Sequence, residues 1–259
     1  MNRNRKISFS VGQDGAVCSL NLSNRAKLIQ RVTPKCGSET STSIQVTFSS
    51  NIAAHDCFEV AIYPSGADPC APRNTIPHPV FTCKINMSTT PNRLWIGHAV
   101  AQKPVHPDAP GAPGTGLRVE MAHLPPIQNH QEVTLEVTVD YAGGMVIGCV
   151  ALAGIPEPLE FAVPIQVFPG RIVMCNREFT RAMQRDGATE SKVRIHRLTI
   201  AHNEGEPVLN LHRGAMSPEA LSALFRQFDE DVVRRRESCW HPSIERGSSH
   251  YKPRQPIKW

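Results

Sequence analysis

The side chains with most chemistry to offer are eleven histidines and eight cysteines in a chain of 259 residues. Nucleophilic catalysis needs a nucleophile, a base and an orienter held rigidly together, and a structural zinc site needs thiolates and imidazoles at short spacings. No two cysteines stand in a C-x₂-C pair, so no zinc knuckle is indicated. Cys239 and His241 are the tightest Cys/His pair, and they sit alone near the C-terminus. Asp68, Cys70 and His78 form a nominal acid, thiol and base set, but one proline-rich stretch carries all three. The sequence has no G-x-S-x-G, no P-loop, no H-E-x-x-H and no G-x-G-x-x-G, the motifs that mark the commoner hydrolytic, phosphate-binding, zinc and dinucleotide sites. It therefore predicts no catalytic residue, no metal ligand and no cofactor, and a protein that is not an enzyme.

The cysteines have a blander use. Cys18, Cys57, Cys83 and Cys149 lie in or beside apolar runs, where cysteine behaves as a small apolar residue. The N-terminus, MNRNRKISFSV, has charge but no apolar stretch of signal-peptide length, so free thiols in a reducing cytosol are expected. The longest weakly polar run, Met145 to Ile155, is well short of the roughly 20 residues of a spanning helix.

Lys and Arg number 28 against 23 Asp and Glu, and the excess is concentrated at the ends. Arg234, Arg235, Arg236, Arg246, Lys252, Arg254 and Lys258 face only Glu237 and Glu245. Such a tail suits an anionic phospholipid surface. Trp240, Tyr251 and Trp259 are interleaved with it. Three aromatics over that length are a thin stacking platform, so nucleic acid is not the expected partner.

The elements that must position any site read first as strands. Val133, Leu135, Val137, Val139 and Tyr141 alternate with Glu132, Thr134, Glu136, Thr138 and Asp140. That period of 2 describes a strand with one face buried and one in water. Gly143-Gly144 then separates it from Met145–Leu152, a hairpin signal. Ile7 to Val11, Ile44 to Phe48, Phe58 to Ile62 and Leu159 to Val167 alternate in the same way. Further strands are expected at 16–22, 80–86, 94–100 and 117–121. Short strands with turn signals between them predict an immunoglobulin-like β-sandwich over 1–169. Proline-rich stretches at 64–79 and 101–116 read as surface excursions from it.

After Gly170 the period changes. Phe179, Ala182 and Met183 have helical spacing, with Asn176 as N-cap. Val193 and Ile195, then Leu198 and Ile200, read as a strand with a register change between them, and Val208 to Leu211 as another. Ser217, Pro218 and Glu219 open a helix whose apolar face is Leu221, Leu224, Phe225, Phe228 and Val232. The expected fold is thus mainly β with an α+β part: a sandwich over 1–169, a small helix-strand-helix platform over 170–236, and a basic disordered tail over 237–259.

This order of elements resembles the appendage, or ear, of the large adaptin subunits of clathrin adaptor complexes, the α subunit more than the β. The resemblance lies in LRVEMAHLPPIQNHQEVTLEVTVDY and LEFAVPIQVF as late sandwich strands, NREFTRAM as the first platform helix, and LNLHRGAMSPEALSALFRQF as the last platform strand and helix. It implies a non-catalytic, cytoplasmic module, peripheral on coated membranes. Such a module recruits accessory proteins of endocytosis through short aromatic-acidic peptide motifs. It also implies a peptide site at Phe179, Thr180, Met183, His212 and Arg213. Phe179 matches the family's first aromatic. Thr180 and Met183 stand where the family has aromatics, and His212 and Arg213 lie near its basic residue. The competing reading is a viral coat-like or matrix-like β-sandwich whose basic tail contacts nucleic acid or membrane.

Overall fold

The computed structural model describes residues 7–11, 17–23, 27–29, 40–64, 79–101, 115–164, 170–176, 192–203 and 209–211. They form strands β1 (Ile7–Val11), β2 (Val17–Ser23), β3 (Lys27–Ile29), β4 (Ser41–Ser50), β5 (Cys57–Pro64), β6 (Phe81–Asn86) and β7 (Asn92–Ala101). The series continues with β8 (Thr115–Leu124), β9 (Val133–Asp140), β10 (Met145–Leu152), β11 (Leu159–Pro164), β12 (Gly170–Asn176), β13 (Lys192–His202) and β14 (Leu209–Leu211). All pair antiparallel. Sheet A runs β1-β2-β13-β4-β9-β10-β11, with β14 also on β13, and sheet B runs β3-β12-β5-β6-β7-β8.

The alternation read from sequence sets which face is buried. In β4, Thr42, Ile44, Val46 and Phe48 are buried, and Ser41, Ser43, Gln45 and Thr47 are half-exposed. In β9, Val133, Leu135, Val137 and Val139 are buried. The two strands pair with Ile44 opposite Val137, Val46 opposite Leu135 and Phe48 opposite Val133, so one continuous apolar surface faces inward. Phe58 from sheet B meets Phe48 with ring centroids 4.2 Å apart. Burying each such ring is worth about 1.5–3 kcal/mol. The Gly143-Gly144 hairpin is present: Asp140 pairs with Met145 across it, and Gly144 has φ 65°, in the left-handed region that glycine adopts freely.

The strands expected at 132–141 and from Leu159 share one sheet, as the sandwich reading requires, through β9 (Val133–Asp140), β10 and β11 (Leu159–Pro164). With 8 strands in one sheet and 6 in the other, the sandwich is larger than the roughly 7–9 strands of an immunoglobulin domain.

The helix-strand-helix platform is not seen among the described residues. The stretch expected to begin it, 170–176, is strand β12, paired with β5 and β3. Ile172, Val173, Met174, Cys175 and Asn176 are all buried. An unbroken buried run carries no alternation, so its periodicity cannot separate strand from helix. The expected platform strand is β13, at the centre of sheet A between β2 and β4. Its predicted register change is real and lies between Ile195 and Arg197. The helices expected around Phe179 and after Ser217 lie outside the described residues, as does the basic tail.

Candidate interaction face on sheet B

Register lays out the outer face of sheet B as rows across the strands. One row is Cys175, Glu59, Lys84, Trp95 and Met121. The next is Val173, Ala61, Thr82, Gly97 and Val119. Each row runs from β12 to β8, and its character changes on the way.

At the β12–β5 end the face is sealed. Ala61, Tyr63 and Val173 form a small buried apolar cluster apart from the main core. Glu59 lies beside it at 1% exposure. A buried carboxylate is costly unless donors surround it. Here the Thr82 hydroxyl donates to Oε1 at 2.7 Å, the Cys175 thiol donates to Oε2 at 3.3 Å, and Lys84 Nζ lies 3.4 Å from Oε1. At the start of β5, Asp56 is also fully buried. It accepts hydrogen bonds from the Ser50 hydroxyl and, at 3.3 Å, from Asn176 Nδ2. These groups tie β4, β5 and β12 together. On the inner face, burial first and the Glu59 carboxylate second push the Cys83 thiol far above its ordinary range. That thiol is not a nucleophile.

At the β8 end the face is open. Val119 is 47% and Met121 52% exposed, on a strand whose one partner among the described residues is β7. Trp95 Nε1 and Arg93 Nε are buried without a hydrogen-bond partner among the described residues. The opposite face of β8 carries Arg118 and Glu120, at positions aligned with the buried residues His98 and Ile96. Arg118 Nε lies 3.7 Å and His98 Nε2 3.9 Å from Glu120 Oε1. Burial lowers the His98 pKa, Glu120 opposes that shift, and Arg118 adds to it.

The outer face of sheet A is different again. Ser43 and Thr138 hydroxyls lie 3.3 Å apart, Thr47 and Thr134 3.0 Å apart, and Gln45 Nε2 donates to Glu136. Ser49 Oγ is 2.9 Å from His196 Nε2, which the β13 bulge presents. A serine–histidine contact is half of a nucleophile–base arrangement. Ser49 is 4% exposed, so this hydroxyl is not open to a substrate. Cys149 sits between Glu136 and Glu160, and burial, then those two carboxylates, raise its pKa. Among the described residues no group of three His, Cys, Asp or Glu is placed to hold a metal ion. No described helix is long and apolar enough to cross a membrane.

The peptide-site residues expected from sequence, Phe179, Thr180, Met183, His212 and Arg213, lie outside the described residues. So do Asp68, Cys70, His78, Cys239 and His241. The margin at Trp95, Val119 and Met121 escaped the sequence reading. Its signal was there: in LRVEMAHL the charges Arg118 and Glu120 alternate with Val119 and Met121, but the pattern says only that one set faces solvent. The natural guess, apolar inside, is the reverse of what is observed.

No protein-family model and no curated protein sequence matches the chain. Solved structures align with it at low identity. A legume lectin-like domain from Entamoeba histolytica has a TM-score of 0.48 and 10% identity, covering 76% of this chain and 88% of that one. The Lotus tetragonolobus seed lectin has a TM-score of 0.40 and 10% identity, covering 79% and 97%. Lectin II from Ulex europaeus has a TM-score of 0.43 and 9% identity, covering 78% and 95%. Likeness at this level says nothing of what the chain binds. These neighbours are lectin-like sandwiches and not adaptin appendages. The expected kinship with clathrin adaptors, coated pits and endocytosis is therefore corrected. The physical root of the error is the platform, whose expected strand is a central strand of the sandwich.

Proposed function

We propose that this chain is a non-catalytic protein-interaction module whose contact surface is the β7–β8 margin of sheet B. The observation that carries the reading is the pair Val119 and Met121, about half exposed on the outer face of a strand with one neighbour among the described residues. Exposed apolar side chains beside an open strand edge are the features by which an extended segment adds to a sheet, the backbone giving affinity and alternate side chains giving specificity. Trp95, opposite Met121, extends that apolar surface inward. The reading is further supported by the Glu59 carboxylate, which is engaged by the Thr82 hydroxyl, the Cys175 thiol and the Lys84 ammonium.

The test is selection of random displayed peptides on the immobilised full chain and on a Val119→Lys/Met121→Lys variant. The wild type should enrich extended sequences with apolar residues at alternate positions, and the variant should not. No enrichment, or equal enrichment on both, contradicts the reading.

A further inference from the structure

We propose that the segment received by this margin is β8 of a second copy, paired antiparallel about a twofold axis at Val119 so that two B sheets become one. The inference rests on the reading of the β7–β8 margin as the contact surface, and it names the partner.

The charges on β8 carry the argument. Arg118 and Glu120 project on one face of the strand, with side chains 65% and 41% exposed, and Val119 and Met121 on the other. In an antiparallel pair, residues directly opposite share a face. With Val119 opposite Val119 of the second copy, Arg118 stands opposite Glu120 and Glu120 opposite Arg118. Two opposite-charge pairs form from one symmetry operation. On the other face Val119 meets its own copy, and Met121 lies opposite position 117.

Neighbouring registers do not offer this. Sliding the axis to residue 118 sets Arg118 against Arg118, and sliding it to residue 120 sets Glu120 against Glu120. A slip by one residue on a single strand sets the charged face of one copy against the apolar face of the other. Charges on the inward face of an edge strand ordinarily guard against indiscriminate pairing. Here the guard has opposite signs two residues apart, so it disfavours the adjacent registers and favours one. Among the described residues β8 takes hydrogen bonds from β7 on one side and from no other strand. A twofold contact is self-complementary by construction, and a strand that reads plus then minus along one face is self-complementary in charge.

Sedimentation equilibrium of the full chain tests this against three variants. The wild type should dimerise at concentrations up to about 100 μM, the weak end for specific association. Arg118→Glu sets Glu against Glu twice, and Glu120→Arg sets Arg against Arg twice. Each should weaken the dimer by about tenfold or more. The exchange Arg118→Glu/Glu120→Arg restores both pairs and should return the dissociation constant to within about threefold of the wild type. Circular dichroism melts identify any variant that fails to fold, and the exchange variant then decides alone. A monomeric wild type, a dimer that both single variants leave unchanged, or an exchange variant that folds and stays monomeric overturns the proposal. A monomeric wild type that still selects peptides through Val119 and Met121 overturns the self-pairing and leaves the contact surface standing. One that selects none removes both.

Discussion

The two ends of sheet B's outer face have the same backbone and opposite fates. At β12 and β5, Ala61, Tyr63 and Val173 are at most 4% exposed, and the one carboxylate among them is held by a hydroxyl, a thiol and an ammonium. At β8, Val119 and Met121 are about half exposed, and the ion pair on the strand's other face is loose, at 3.7 Å. At the covered end the Glu59 carboxylate is matched by a hydroxyl, a thiol and an ammonium, because an unmatched buried polar group costs about 1–3 kcal/mol. At the β8 end Arg118 and Glu120 are exposed enough for water to solvate them. The sealed end serves stability, and the open end is the surface proposed above for contact.

Substitutions can break or sharpen that contrast. The largest effect lies beneath both ends. Phe48→Ala or Phe58→Ala opens a cavity where the sheets meet and should cost about 3–5 kcal/mol of unfolding free energy in urea titrations. Next, Glu59→Ala at the sealed end strips the Thr82 hydroxyl and the Lys84 ammonium of their acceptor and should cost about 2–4 kcal/mol. Glu120→Ala at the open end should cost less than about 1 kcal/mol. Equal losses at the two glutamates would erase the distinction.

A pH effect comes third. Burial holds His98 and His202 below the ordinary imidazole value of 6.5. Below that pH the unfolded chain takes up protons that the folded chain resists. Their contribution to stability is therefore full above pH 6.5 and is lost as pH falls through the folded values. The unfolding free energy should fall between about pH 7 and pH 5. His98→Gln should flatten the drop, and a slope unchanged by that substitution would show that His98 is not its source. The smallest effect is at the open end. Val119→Lys/Met121→Lys should shift stability by no more than about 0.5 kcal/mol while abolishing contact. A loss of several kcal/mol would mean that these side chains are packed in the folded chain.

The strands with one wet face were legible in the sequence, because alternation is a direct imprint of burial on one side. β4, β9, β10 and the Gly143-Gly144 hairpin stand where their patterns put them, and the β13 bulge shows as a skipped beat between Ile195 and Leu198. β12 was not legible as a strand, since Ile172 to Asn176 are buried without interruption. The resemblance to an adaptin ear leaned on placing this stretch and β13 in a platform, whereas β12 belongs to sheet B and β13 to sheet A. The site was less legible than the fold. Alternation in β8 divides Arg118 and Glu120 from Val119 and Met121, but it carries no sign that tells which set faces the core. Only the pairing of Ile96 with Glu120 and of Trp95 with Met121 settles the side.

On the proposed reading the β7–β8 margin, and not the hydrogen-bonded hydroxyl face of sheet A, is where this protein meets its partner. Amide hydrogen exchange on the full chain at low and high protein concentration tests it most directly. The account predicts that protection in residues 115–124 rises with concentration, while β4, β9 and β11 stay as they were, and that Arg118→Glu removes the rise. Protection of β8 that is the same at both concentrations, or a rise confined to β4 and β9, would contradict it.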